Sequence, residues 1–356
     1  MIGKFIRFQI ILAFFSTLPV FSQDDIADSQ YSLTDTLEKK FDLFLNNDVL
    51  ELSLWFDMTE YTRKKPKEEY LDAILTCHIG NNDSINKEIR LKSCGEFRNK
   101  YCSFPPMLLN FKKTEFTQED LHKLEKVKLF THCRKGYEEY LFREYLVYRL
   151  YNILTEYSFR VKLVRISYHN TSGAKKTIQT YGFFIEPMNI LTERLNSVQI
   201  GSVPVTQRNI LPEMMDRMAI FSYMIGNTDW SLSNHHNCKI LVQREVDRPD
   251  LYRIIPFDFD YSGFVNTCYA VPYEGLDIES VRERIYIGLC RSEEDFILAL
   301  KEFSDKKEEF YKLIREFDLI SEKAKKDMIH YLDGFYNLFN DRNTIVYEIL
   351  KDCKDY

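Results

Sequence analysis

Two short segments of the chain carry the side chains that could do chemistry. The first, GNTDWSLSN, places Asp229 five residues before Asn234, and the second, IIPFDFDYSG, contains Asp258 and Asp260. Phosphoryl transfer needs a carboxylate that orients the attacking hydroxyl, together with an Asn and an Asp that hold magnesium against the phosphates. Magnesium prefers oxygen ligands, usually one or two carboxylates completed by phosphates and waters. These residue types at this spacing therefore predict a site for magnesium-dependent phosphoryl transfer.

Other interpretations of the same residues remain open at this point. The Asp229 segment is also typical of an Asx turn at the end of a helix. Asp258 and Asp260 lie on one face of a strand, where two like charges favour a cation between them but also suit a solvated strand end. His235 and His236 suggest a metal centre for hydrolysis, although zinc hydrolases use three spaced ligands and adjacent strand residues point in opposite directions.

The elements around these segments must position the candidate side chains. Residues 210–227 form a strongly apolar stretch with helical spacing, and this predicted helix leads directly to Asp229. A second amphipathic helix is predicted over residues 137–157 and carries Glu144, and the predicted strand KVKLFTHC before it carries Lys128. The segment from Lys87 to Lys113 is predicted as two strands around a turn at Gly95. Further strands are predicted for VLELSLWFDM and for residues 73–79, 160–168 and 178–185.

The order of these elements predicts an α+β fold with two lobes. A strand-rich N-terminal half with one helix is followed by a junction near residues 186–189 and a helical C-terminal half. The predicted divisions are a signal peptide (1–22), an N-terminal extension or start of the N-lobe (23–84), the N-lobe (85–186) and a helical C-lobe with the catalytic loop (187–356).

The chain resembles atypical protein-kinase-like families, especially the HipA-like and CotH-like kinases. Asp229 and Asn234 have the catalytic-loop spacing of protein kinases, and GNTDWSLSN is similar to the HipA-type loop with Trp230 and Ser231 in place of an Arg-His pair. IIPFDFDYSG resembles the Pro-Trp-Asp-x-Asp turn of CotH-like proteins, with Phe257 at the Trp position. YGFFIEPMN resembles the hinge strand that precedes the lobe junction in those families.

This resemblance implies ATP and Mg²⁺ as ligands and gives each candidate residue a role. Asp229 is implied as the catalytic Asp, Asn234 and Asp258 as magnesium ligands, and Asp260 as a further ligand or a supporting carboxylate. Nucleotide binding is implied for three more residues, because a phosphate-binding lysine pairs with a helix glutamate in kinases. These residues are Lys128, Glu144 and Arg98, with Lys112 and Lys113 as alternatives to Lys128. We expect Lys128 to pair with Glu144 and to direct its ammonium toward Asp258.

Departures from the kinase pattern leave two functions open. The chain has 12 Gly and no G-x-G-x-x-G loop, so a phosphate cover would come from backbone N–H groups of residues 93–95 and from Arg98. The catalytic-loop His and Arg are also missing. The first prediction is an exported kinase-like phosphotransferase that acts on a hydroxyl of a protein, a glycan or a small molecule. The alternative is an inactive pseudokinase that serves as a secreted binding module.

The N-terminus predicts export. Lys4 and Arg7 precede an apolar run from Phe8 to Phe21, with a plausible cleavage site before Gln23. The run is too short for a comfortable membrane span, so we expect a mature chain without one. An uncleaved anchor is the alternative. The net charge of −6 gives no support for nucleic-acid binding.

The cysteines are consistent with an oxidising compartment. The chain has eight Cys, an even number that permits disulfides in an exported protein. Cys94 and Cys102 are the best local candidate pair, and the other thiols could equally be buried and free.

Overall fold

The computed structural model describes residues 43–44, 47–78, 84–111, 124–173, 176–201, 203–244, 252–340 and 342–355. Contacts divide the chain into Met1–Asp42 and Leu43–Tyr356, and every described residue belongs to the second unit. The predicted signal peptide and the alternative lysines Lys112 and Lys113 lie outside the described residues.

Strands dominate the N-terminal part of the described chain. They are β1 (Leu50–Phe56), β2 (Leu71–His78), β3 (Ser84–Ser93), β4 (Met107–Asn110), β5 (Lys126–Phe130), β6 (Val161–Asn170) and β7 (Thr177–Ile185). These seven strands close into a barrel in the order β1-β2-β3-β4-β5-β7-β6. The β1–β6 pair is parallel and closes the barrel, so no strand of it is left with an open edge. A closed seven-stranded barrel is not typical of a kinase N-lobe, and the sequence did not predict it.

Alternating side chains fill the barrel. In β1 the buried positions are Leu52, Leu54 and Phe56, two residues apart, because successive side chains of a strand point to opposite faces. Phe56 packs edge-on against Tyr61 with ring centres 5.5 Å apart. The same core continues through β2 to β7, so its apolar burial fixes the register of the barrel.

Three helices accompany the barrel: α1 (Met58–Lys64), α2 (Phe97–Tyr101) and α3 (Glu138–Leu154). The two predicted strands around Gly95 are present as β3 and β4, but the short helix α2 lies between them. Helix α3 packs against β6 and β7 on one side and against a later helix, residues Glu293–Arg315, on the other. It is therefore buried along most of its length, and its position is fixed from both sides.

Helices and one small sheet make up the remainder of the described chain. The helices are α4 (Met188–Arg194), α5 (Pro212–Ile225), α6 (Glu293–Arg315), α7 (Glu322–Tyr336) and α8 (Arg342–Asp352). The sheet has the order β10-β9-β8, formed by β8 (Ser197–Gln199), β9 (Cys238–Gln243) and β10 (Arg253–Pro256). Ser292 and Ser321 cap α6 and α7 through their side chains, as expected for a helix N-terminus.

The mixed α+β prediction is confirmed, with a strand-rich part followed by helices. Helices predicted over residues 137–157 and 210–227 correspond to α3 and α5. None of the helices in the described ranges is both long and apolar enough to cross a bilayer.

Candidate functional site

The end of helix α5 presents Asp229. Gly226 stops the helix in a left-handed conformation (φ 63°), and its N–H donates to the carbonyls of Ser222 and Tyr223. A Cβ at this position would lie 2.2 Å from Tyr331 Oη, so only glycine fits. The Asp229 N–H then donates to Asn227 Oδ1 at 3.1 Å, which turns the chain away from the helix.

Two side chains hold the Asp229 carboxylate in place. His236 Nε2 lies 2.9 Å from its Oδ1, and Asn237 Nδ2 donates to its Oδ2 at 2.9 Å and to its backbone oxygen at 2.8 Å. Burial raises the pKa of Asp229 above its ordinary value, and the hydrogen bond from His236 opposes that rise. The result is a half-buried carboxylate with a fixed orientation, as a group that positions a hydroxyl requires.

Asn234, the predicted magnesium ligand, lies elsewhere in the same turn. It is exposed, and its Oδ1 accepts from the His236 N–H at 3.2 Å. No hydrogen bond within the described chain joins it to Asp229. His235 and Asn237 have positive φ angles of 54° and 51°, so the backbone reverses here and brings Asn237 to Asp229 instead. Sequence reasoning missed Asn237; the only available signal was a second Asn close behind the first.

Asp258 follows β10 in a strained backbone position. Its φ is 62°, which is uncommon for a residue other than glycine. Its N–H donates to the hydroxyl of Tyr148 on α3 at 2.8 Å. A non-glycine residue held in this conformation is often found at functional sites.

Arg98 on α2 is the centre of a buried ionic group. Its Nη2 lies 2.8 Å from Glu144 Oε2 and 3.2 Å from Asp258 Oδ1, and its Nε donates to Asp260 Oδ2 at 2.8 Å. Side-chain exposure is 11% for Arg98, 3% for Glu144 and 8% for Asp260. These four residues are called the Arg98 cluster below. A planar guanidinium with several N–H donors can serve three carboxylates at once, which an ammonium cannot do with the same geometry.

The charges in the Arg98 cluster shift one another's pKa values. Burial acts to lower the pKa of Arg98, but Asp260 and Glu144 outweigh it and raise that pKa well above its ordinary value. Burial raises the pKa of Glu144 to about 8, against the opposing effect of Arg98. Burial also acts to raise the pKa of Asp258, yet Lys128 and Arg98 hold it below its ordinary value. Asp258 is therefore the carboxylate of this group best suited to stay ionised.

Lys128 faces Asp258 and not Glu144. Its Nζ lies 3.9 Å from Asp258 Oδ2 and 4.1 Å from the centre of the Phe130 ring. The predicted pairing of Lys128 with Glu144 is wrong, because Arg98 occupies the Glu144 carboxylate. The predicted orientation of the ammonium toward Asp258 is found.

Asp260 lies deeper than Asp258. Tyr269 donates its hydroxyl hydrogen to Asp260 Oδ2 at 2.8 Å, and the Thr267 hydroxyl donates to the Asp260 carbonyl at 2.9 Å. Arg98 Nε donates to the same carboxylate oxygen, so Asp260 Oδ2 already has two hydrogen bonds. Its contacts make it a support for Arg98 more than a site for a metal ion.

The residues present fit a magnesium site in which phosphate oxygens of a ligand complete the coordination of the ion. In the described chain, no three His, Cys, Asp or Glu side chains form a metal-binding group. Magnesium, however, usually takes one or two protein oxygens together with phosphates and waters. The Asp258 carboxylate, 28% exposed, and the Asn237 amide oxygen, whose nitrogen is engaged by Asp229, are the oxygens suited to that role.

The disulfides differ from the predicted pair. Cys102 bonds to Cys133 and Cys290 bonds to Cys353, whereas Cys94 is a free thiol. Pairing of Cys94 with Cys102 is therefore wrong. The reason is tertiary: Phe104 forms a β-bridge with Cys133, which brings Cys133 next to Cys102.

Comparisons with known proteins identify no family. No protein-family model and no curated protein matches the chain. A solved structure described as a Helicobacter pylori proinflammatory kinase, CtkA, is similar at 10% sequence identity and a TM-score of 0.35. The match covers 82% of this chain and 96% of that one.

The raised pKa of Glu144 predicts a pH-dependent stability. Between the ordinary pKa of 4.5 and the folded value of about 8, the folded state holds a proton on Glu144 that the unfolded state has lost. Stability from this group is therefore complete below pH 4.5 and is lost as pH rises through about 8. In urea unfolding at a series of pH values, Glu144→Gln should remove this loss, because Gln does not titrate. Parallel pH curves for the two proteins would contradict the assignment.

Proposed function

We propose that this protein is a kinase-like phosphotransferase that binds Mg-ATP and transfers a phosphoryl group to a hydroxyl. The observation that carries the proposal is one arrangement of side chains. Asp229 is fixed by His236 and Asn237. Asp258 faces Lys128, and the negative charge of Asp258 acts on Asp229. A hydroxyl-positioning carboxylate and a phosphate-binding group thus share one site.

Each residue then has a chemical role. Asp229 accepts the hydrogen bond of the acceptor hydroxyl and orients its oxygen toward the phosphoryl group. Asp258 and Asn237 would hold magnesium, which would neutralise charge on the phosphates, and Asn237 takes the part that the sequence had predicted for Asn234. Lys128 contributes a positive charge on the barrel side of the site. Glu144 and Asp260 hold Arg98 and so keep α2 against the site.

A catalytically inactive binding module is the second candidate. One observation favours it: Arg98 already contacts Asp258 and Asp260, so a metal ion must compete with a guanidinium for Asp258. An inactive module would keep this ion pair and would not turn over nucleotide.

The test is metal-dependent formation of ADP from ATP by the full chain. If the protein is a phosphotransferase, we expect turnover of ATP that requires Mg²⁺ and is lost in Asp258→Asn. Binding of nucleotide without turnover, measured as a rise in thermal stability with ADP, would favour the inactive module.

We also propose that the protein is exported, with a protein, glycan or small-molecule hydroxyl as the acceptor. Two disulfides support an oxidising compartment, because disulfides persist mainly outside the cytosol. The predicted signal peptide is consistent with this localisation.

Thiol counting and the mature N-terminus check this proposal. In exported material denatured without reductant, alkylation should modify the four free cysteines Cys77, Cys94, Cys238 and Cys268. After reduction it should modify all eight. N-terminal sequencing should begin at Gln23. Modification of eight cysteines without reductant, or a retained Met1, would contradict export with cleavage.

A further inference from the structure

Lys239 is a half-buried cation beside the proposed site. It lies on β9 two residues after Asn237 and pairs across the sheet with Ile255 of β10. Its Nζ lies 4.8 Å from the centre of the ring of Phe257, the residue that precedes Asp258 in the chain. None of the described carboxylates is within ion-pair distance of Lys239. Its ammonium lies over the face of the Phe257 ring.

This placement is unfavourable for a lysine in the absence of an anion. A partly desolvated ammonium without a counter-charge raises the free energy of the folded state. The cation–π interaction with an aromatic ring offsets only part of that free energy. The positive charge of Lys128 adds to this cost, because it repels the ammonium of Lys239.

Lys128 and Lys239 approach the site from different parts of the fold. Lys128 is on β5 of the barrel, whereas Lys239 is on the small sheet that follows the Asp229 turn. Asp258 is bonded to Arg98 and lies 3.9 Å from Lys128, so it does not neutralise both lysines. The site therefore has a lysine on each side, and in the described chain Lys239 has no carboxylate within ion-pair distance.

We propose that Lys239, together with Lys128, binds the phosphate groups of a polyphosphate ligand and bridges the barrel and the small sheet through that ligand. The inference rests on the proposed function for the identity of the site and adds a phosphate-binding residue to it. The ligand class is a di- or triphosphate, which follows from the nucleotide of the proposed function. Electrostatic attraction of this kind weakens as salt screens the charges.

The test measures binding of inorganic tripolyphosphate to the full chain by calorimetry at low salt, without divalent metal. Lys239→Met keeps the length of the side chain over Phe257 and removes the charge. We expect about tenfold weaker binding, the loss of one charge-assisted contact. The matched control is Lys307→Met on α6, whose ammonium also lies over an aromatic ring, that of Tyr336 at 4.9 Å. The control should bind as the unmodified protein does.

A second variant separates charge from packing. Lys239→Arg keeps the positive charge and should retain most of the binding. Equal affinity in Lys239→Met and the unmodified protein would overturn the inference, as would no binding of tripolyphosphate to the unmodified protein. Equal loss in Lys239→Met and Lys239→Arg with lowered thermal stability would also overturn it, by assigning Lys239 to packing. Charge-dependent binding without ADP formation would instead reject the proposed phosphotransferase and keep the phosphate site.

Discussion

Replacement of Asp229 by Asn should lower the rate of phosphoryl transfer by roughly 10²- to 10⁴-fold, the usual contribution of a positioned acid–base group. The carboxylate is fixed by His236 and Asn237, so the amide keeps the shape of the site but cannot take the proton of a hydroxyl. Affinity for the nucleotide should stay near that of the unmodified protein, because Asp229 is assigned to the acceptor. Rates of transfer and binding constants, measured separately, check both parts.

The matched control for this variant is Asp305→Asn. Asp305 is exposed on α6 and pairs only with Lys301 one turn earlier. It should leave transfer unchanged. An Asp229→Asn protein that transfers phosphate at the unmodified rate would remove Asp229 from the mechanism.

Replacement of Arg98 by Met should destabilise the fold by about 3–5 kcal/mol, the cost of removing one partner from a buried ionic group. Glu144 and Asp260 would remain buried without their cation, and within the described chain Lys128 is at ion-pair distance from Asp258 and from neither of these two. Urea unfolding measures the loss. Asp260→Asn added to Arg98→Met should restore part of the stability, because it removes a carboxylate charge that Arg98 no longer neutralises.

Arg165→Met gives the comparison for Arg98→Met. Arg165 pairs with Glu51 at 3.4 Å on the exposed surface of the barrel. Exposed pairs contribute about 0–1 kcal/mol, so this variant should lose little stability. Similar losses in Arg165→Met and Arg98→Met would show that the Arg98 cluster is not the stabilising feature described above.

Strong local patterns made part of this structure predictable. The apolar run that predicts a helix over residues 210–227 becomes α5, whose end is fixed by a glycine that tolerates positive φ. The strand that carries Lys128 and the helix that follows it were likewise predictable, because strand and helix periods differ clearly in these segments. Asp229 and Asp258 could be singled out because each lies at the end of such an element.

Other features depend on contacts between distant segments. The parallel pair of β1 and β6 closes the barrel, and no local pattern specifies which edges meet. The Cys102–Cys133 bond likewise follows from strand pairing and not from proximity in sequence.

The details of the site depend on backbone geometry that residue types do not reveal. Asn237 reaches Asp229 because His235 and Asn237 both adopt positive φ angles, which shifts the contact away from Asn234. Arg98 was predicted to reach phosphates, but a short helix that the sequence did not predict brings it to three carboxylates. Partners of a buried arginine are set by the fold around it.

The central claim is that Asp258, Asn237 and Asp229 form a site for metal-dependent phosphoryl transfer. The most direct measurement is formation of ADP from ATP by the full chain, with and without Mg²⁺, alongside Asp258→Asn. ADP formation should require Mg²⁺ and should be lost in Asp258→Asn, while Asp305→Asn should keep it. No ADP formation by the unmodified protein with Mg²⁺, or equal formation by Asp258→Asn, would contradict it.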